Sequence, residues 1–193
     1  MAASLKPYLD RLDFQPMETV LSAGIRECIE NVARDHPGEE FVGFALDCNF
    51  SVGSIFFSLA STGYLSSIAA QAGMDMEAAA SAPSLQERFW SLGDWPLYCV
   101  NDRYAPTFVQ AWKPWESLIE IVGYNELYQQ TLDADLSAAF NAHLANWAAS
   151  VLVECESSGA FHTIARADAV RLIVLDHDEE LNVGLDRMER SKQ

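Results

Sequence analysis

The stretch Phe41-Val42-Gly43-Phe44-Ala45-Leu46-Asp47-Cys48, followed after Asn49-Phe50-Ser51-Val52 by Gly53-Ser54-Ile55-Phe56-Phe57-Ser58-Leu59-Ala60, decides the fold. Both runs are short, apolar and rich in Phe, Val and Ile, which suits buried pleated strands, and the residues between them suit a hairpin connection. These are the expected central strands. Upstream, Met17, Val20, Leu21, Gly24, Ile25, Cys28, Ile29 and Val32 recur at helical spacing, with Glu18, Glu27, Glu30 and Arg34 mostly elsewhere on the surface. An amphipathic helix therefore precedes the first strand and ends near Pro37-Gly38.

Downstream, Ser61 or Thr62 is placed to cap a helix reaching about Ala72, and an Ala-rich segment runs from Met76 to about Trp90 with a break at Pro83. Trp95 to Val100 reads as a short edge strand, because Pro96 has no N–H for a central ladder. Pro106 is expected to start a helix through Trp112, and Pro114 another through about Gln130, since proline fits a first turn but breaks an interior. Asp133 then caps the longest helix. Its stripe is Leu136, Phe140, His143, Leu144, Trp147, Val151, Leu152 and Cys155, and Ser157-Ser158-Gly159 stops it. Val170 to Leu175 is a third strand, followed by the acidic loop Asp176-His177-Asp178-Glu179-Glu180 and a final amphipathic segment. The expected class is α+β: one domain over residues 1–193, a small mostly antiparallel sheet against several helices, with residues 1–15 an N-terminal extension and 188–193 a polar tail.

A chain of 193 residues that is 50% apolar and 11% aromatic is large enough for a substantial core. Charged residues interrupt Met1 to Gln15, so no export signal is expected there, and Phe41 to Ala60 is too broken by Asp47, Asn49 and two glycines to span a membrane. A cytoplasmic location follows as the expectation. Cys28, Cys48, Cys99 and Cys155 lie far apart and read as reduced core thiols, and the Asn49-Phe50-Ser51 glycosylation tripeptide is discounted. Gly43, Gly53, Gly63 and Gly73 are evenly spaced, but their flanks share no pattern and no repeat is inferred. The 28 acidic residues against 12 basic ones give a net charge of −16, with 13 acids up to residue 100 and 15 beyond it. So dispersed a negative charge argues against nucleic acid and anionic membranes as partners and permits a basic protein partner.

Reaction motifs are absent from the sequence: no GxG turn, no HExxH, no GxSxG and no clustered Cys/His set, with His36, His143, His162 and His177 standing singly. No cofactor, metal site or catalytic residue is assigned on this reading. His143, on its apolar stripe, reads as structural. Asp176, Asp178, Glu179 and Glu180 supply hard oxygens but lack the glycine and the later glutamate of a calcium loop, which favours a solvated acidic loop. Asp47, Glu154 and Glu156 would be acid–base groups only if the fold brought them to one cleft.

The residues that stand out are aromatic. Trp90, Trp95, Trp112 and Trp115 place four of the five tryptophans within 26 residues, with Tyr98, Tyr104 and Phe108 between them. Such rings either fill a core beneath an irregular loop or serve as interface anchors framed by acids. For the second reading the candidate partner-binding residues are Trp95, Trp112, Trp115, Asp94, Asp102 and Glu116, with Glu120 nearby.

The order of first helix, Phe41-Val42-Gly43-Phe44-Ala45-Leu46-Asp47, second strand, Arg88 with Gly93-Asp94-Trp95-Pro96, and Leu172-Ile173-Val174-Leu175-Asp176 resembles the bacterial domain-of-unknown-function 4303 family over about residues 17 to 185. The Trp112-Lys113-Pro114-Trp115 segment lies outside the matching motifs. The resemblance implies a toxin-associated immunity protein that plugs the active site of a basic toxin domain, and it brings no catalytic residues. The alternative is an enzyme with a non-standard carboxylate or metal-assisted site, at Asp176, Asp178 or Glu180, acting on a small molecule or nucleotide. A third reading is an adaptor working through a self-associating surface, with the oligomeric state left open by the sequence.

Overall fold

A computed structural model describes residues 4–177 and 179–192. A short helix α1 (Lys6–Leu9) leads into α2 (Phe14–Asp35), then the hairpin of β1 (Phe41–Asn49) and β2 (Ser54–Ser61). Three helices follow: α3 (Thr62–Gln71), α4 (Met76–Ser81) and α5 (Pro83–Trp90). After α6 (Asn101–Tyr104) come α7 (Pro106–Glu120), a π-helical continuation (Ile121–Gln130) and α8 (Ala134–Ser157). Strand β3 (Arg166–Asp176) and α9 (Leu181–Ser191) complete the described chain.

The sheet order is β2-β1-β3, with β1 antiparallel to β2 and parallel to β3. The α+β class stands. The hairpin supplies the antiparallel half of a mixed sheet, and the long helical excursion after β2 brings the chain back on the other side of β1. Every residue from Phe41 to Cys48 is buried, so β1 needs an apolar layer on each face. Phe44, Leu46, Phe57, Leu172 and Val174 face the larger core, which α2, α7, the π-helix and α8 provide. Ala45, Ala60, Ile173 and Leu175 face a smaller core made by α3, α4, α5 and the indoles of Trp90 and Trp95. A bulge between Phe41 and Gly43 adjusts the register, and Gly43 leaves the space that those indoles occupy: a Cβ there would sit 2.8 Å from Trp95 Cη2.

The first helix, the hairpin, the cap of α3 by Ser61, the break at Pro83 and the cap of α8 by Asp133 match the sequence reading. Two expectations are corrected. Trp95 to Val100 is not an edge strand; only Leu97 bridges to Leu59, and Cys99 takes a left-handed φ of 50° that ends any ladder. The segment still closes the β2 edge, because Leu59 N–H donates to Leu97 O at 2.8 Å and Asn101 pairs through its amide with Phe57 N and Ile55 O at 2.7 and 2.8 Å. Nor does Pro114 begin a new helix: it lies inside α7. That helix is held at its first turn by Glu27, which accepts from Thr107 N and Phe108 N, and two residues before the proline by the Trp112 indole, which donates to Gly53 O at 2.8 Å. The residues before α2 are part of the packing, since Leu12 is buried and Leu5, Tyr8 and Leu9 lie on the larger core. At the other end α9 reaches Ser191 with Met188 buried. His143 is exposed and meets Phe14 edge-on rather than entering the core. Cys28, Cys48 and Cys155 are buried free thiols and Cys99 is half-buried.

The acidic loop is a joint rather than a solvated run. The buried Arg187 donates to Glu179 through both terminal nitrogens at 2.8 and 2.6 Å, to Val174 O at 2.7 Å and, through Nε, to Asn146 at 3.2 Å, so one guanidinium ties α9, α8 and the end of β3 together. Asp176 accepts from Phe50 N and Asn141 Nδ2. Burial raises the Glu179 carboxyl, but the Arg187 guanidinium and the Asp176 N–H outweigh it and hold that carboxyl below its usual range. Burial pushes Asp176 the other way.

Replacing Arg187→Met is expected to cost about 3 kcal/mol, because Glu179 loses its counter-charge in a mostly desolvated site. A depressed carboxyl contributes stability above its unfolded pKa and loses it as pH falls through its folded pKa, so the gap between variant and parent should narrow on acidification; urea unfolding at stepped pH measures both. Gly43→Ala should destabilise as well, since crowding the Trp95 indole costs about 1–3 kcal/mol against about 0.5–1 kcal/mol recovered by removing a strand glycine. The urea midpoint of that variant reads the balance.

Candidate functional site

The tryptophans divide between the two cores. Trp95 is buried in the smaller one, edge-on to Trp90, and its indole donates to Phe89 O at 3.0 Å. Trp112 is buried in the larger one, stacked on Phe108 and on Trp147. They lie on opposite faces of the sheet, each with its N–H satisfied inside the protein, so neither is a surface anchor. Trp115 is half-buried against the larger core. Asp94 and Asp102 are exposed, while Glu116 is half-buried and accepts from Ser54 Oγ at 2.8 Å. Trp95 and Trp112 therefore do not share a solvent-facing surface with the exposed Asp94 and Asp102. Three of the candidates do converge: Asp102, Trp112 and Glu116 line a cleft of about 110 Å³ beside β2, together with Phe56, Cys99 and Asn101.

A larger cleft, of about 370 Å³, opens where the smaller core runs out, over the C-terminal ends of the parallel pair β1 and β3. It is lined by Asp47, Ser91, Tyr98, His177 and the Arg187-bound Glu179 among polar groups and by Trp90, Leu92, Leu175 and Leu181 among apolar ones. Strand register makes the site: Asp47 stands beside Leu175 on β3, which carries His177 past the strand end, and opposite Phe56 on β2. Asp47 is only 7% exposed. Its Oδ2 accepts from the Tyr98 hydroxyl at 3.0 Å, and its Oδ1 lies 3.7 Å from His177 Nδ1, too long for a hydrogen bond. A hydrogen bond to Cys99, then burial and the Asp47 carboxylate, push the Tyr98 phenol well above its usual value, so it remains a donor at neutral pH. Burial and Asp47 raise the Cys99 thiol against the opposing effect of Tyr98. Neither group is a ready anionic nucleophile; the arrangement presents a carboxylate held by the single Tyr98 hydroxyl in an apolar-walled recess.

The other carboxylates do not join it. Glu156 pairs with Arg166 at 4.0 Å, and Glu154 lines a separate groove with Glu18 and Trp147. Of the residues considered for a metal, Asp178 lies outside the described residues, Asp176 is engaged by Phe50 and Asn141, and Glu180 is exposed. Among the described residues no group of three or more His, Cys, Asp or Glu is arranged to hold a metal ion, and no helix is long and apolar enough to cross a membrane. The sequence did carry a signal for the cleft: two apolar strands, each interrupted at its end by an acid, Leu46-Asp47 and Leu175-Asp176-His177. Nothing in the spacing placed those ends side by side; the parallel pairing did.

No curated protein and no solved structure matches the chain. A family model described as a domain of unknown function (DUF4303) matches residues 21–191, from within α2 through α9, taking in all three strands, the smaller core, most of the larger core and the cleft. The chain belongs to this DUF4303 family.

Proposed function

We propose that this protein is an interaction module that binds a basic protein domain, acting by occlusion as an immunity protein does against a toxin. The observation that carries the reading is how its charges are used. Lys6, Arg11, Arg34, Arg103, Arg166, Arg187 and Lys192 are engaged by the protein's own carboxylates, and Arg171 lies over the Trp90 ring. Glu30, Asp94, Asp102, Glu120 and Asp135 are exposed and form no ion pair with the described residues. With seven of the twelve basic residues already paired inside the protein and these acids exposed and unpaired among the described residues, the surface attracts a basic partner and accelerates its encounter. Occlusion requires no cofactor.

A second reading, an enzyme with a carboxylate site, finds its residues at Asp47 and His177 rather than at Asp176, Asp178 or Glu180. The observation favouring it is the imidazole held near a buried carboxylate in the larger cleft. Protonated Tyr98 and Cys99 leave that site without an activated nucleophile, which places the interaction reading first.

The test is affinity capture of the tagged protein from the lysate of its own organism, followed by reconstitution with each purified binder. A stoichiometric basic partner is expected, with affinity falling roughly tenfold or more between about 0.05 M and about 0.5 M salt, and with slower association for Asp102→Lys. A partner whose binding ignores salt, or no partner at either salt, would overturn the reading.

A further inference from the structure

The Asp47 side chain is incompletely matched. It is nine-tenths buried, yet its neighbours are one neutral hydroxyl and an imidazole 3.7 Å away, and its Oδ1 accepts no hydrogen bond from the described residues. The nearby guanidinium of Arg187 is already committed to Glu179 and Val174 O. Asp47 Oδ1 is not sealed off but faces the solvent of the recess, so a cation entering there can pair with a largely enclosed carboxylate whose neighbours are only that hydroxyl and the imidazole. The walls are apolar, with Trp90, Leu92, Leu175 and Leu181, and the recess of about 370 Å³ is open to solvent on one side. Such a site suits a long aliphatic stem ending in a cation. Guanidinium is favoured over ammonium because it is less strongly hydrated, has a planar fork of donors and lies well against aromatic rings. The protein itself already places the Arg171 guanidinium 4.4 Å from the Trp90 ring centroid.

The surroundings point to a protein as the source of the cation. Tyr98, on the rim of the recess, is 37% exposed, and Phe56, across the ladder from Asp47 and lining the smaller cleft beside β2, is 38% exposed, so apolar contact area lies next to the recess where a free small cation would have no use for it. We propose that this cleft receives an arginine side chain of the basic partner, its guanidinium paired with Asp47 and its stem along the apolar walls; the inference rests on the interaction reading above.

Backbone-amide NMR of the intact protein tests it, with the capped tripeptide Gly-Arg-Gly, its lysine and citrulline analogues, and arginine amide as probes. The arginine peptide should shift signals around Asp47, Tyr98 and His177, bind more tightly than the lysine peptide and than arginine amide, and leave the citrulline peptide without effect. Asp47→Asn should weaken it on the order of tenfold. Should that variant fail to fold, Leu181→Arg, which brings a tethered guanidinium to the cleft, should abolish peptide binding in a folded protein. Shifts located elsewhere, unchanged binding in either variant, or equal binding of peptide and arginine amide would overturn the proposal. A captured partner that binds Asp47→Asn as well as the parent overturns this inference and leaves the interaction reading standing, whereas peptide binding with no capturable partner overturns the interaction reading and, with it, a partner protein as the source of the arginine.

Discussion

Strand β1 is buried from Phe41 through Cys48, and a strand with no face to water requires an apolar layer on both sides of the sheet. The rest of the molecule meets that constraint. Helices α2, α7 and α8 cover one face with the larger core, and α3 to α5 with two indoles cover the other. The second cover is shorter than the strands. Where it stops, β1 places its one buried acid, Asp47, and the cleft exists because the smaller core does not extend over it.

Polar groups inside this framework close edges and joints. Asn101 satisfies backbone groups of β2 that an edge strand would leave open, which is how the irregular segment after Pro96 replaces a fourth strand. Arg187 performs the corresponding task on the far side, joining the end of β3 to α8 and α9 through a single guanidinium. Because Glu179 is held by that arginine, it is not free to serve a ligand, and Asp47 remains the unmatched carboxylate of the neighbourhood.

The acidic surface and the cleft are complementary features of one reading. On the proposed reading, long-range charge would draw a basic partner towards the protein, and a recess with a largely enclosed carboxylate would discriminate among the side chains that arrive. The tryptophans contribute indirectly. Trp112 buttresses the hairpin through Gly53, and Trp90, backed edge-on by the buried Trp95, forms a wall of the cleft.

Local chemistry made much of the fold readable from the residues. Ser61 and Asp133 are N-caps whose oxygens accept a backbone N–H within their own segment, and the apolar periodicities of α2, β1, β2 and α8 carry their own elements. Pro114 and Trp95 to Val100 depart from the sequence expectation because the helix around the proline and the left-handed Cys99 are set by contacts with distant residues, Gly53 through the Trp112 indole in one case and β2 in the other. The same holds for the site. Aromatic density and net charge are properties of the sequence by itself, and they determined that this would be an acidic α+β protein with a ring-rich interior. Which rings face solvent, and which acid lacks a counter-charge, was decided only by the tertiary structure, because the parallel pairing of β1 with β3 sets Asp47 beside His177, residues 130 positions apart in the chain, and no local preference specifies so distant a partner.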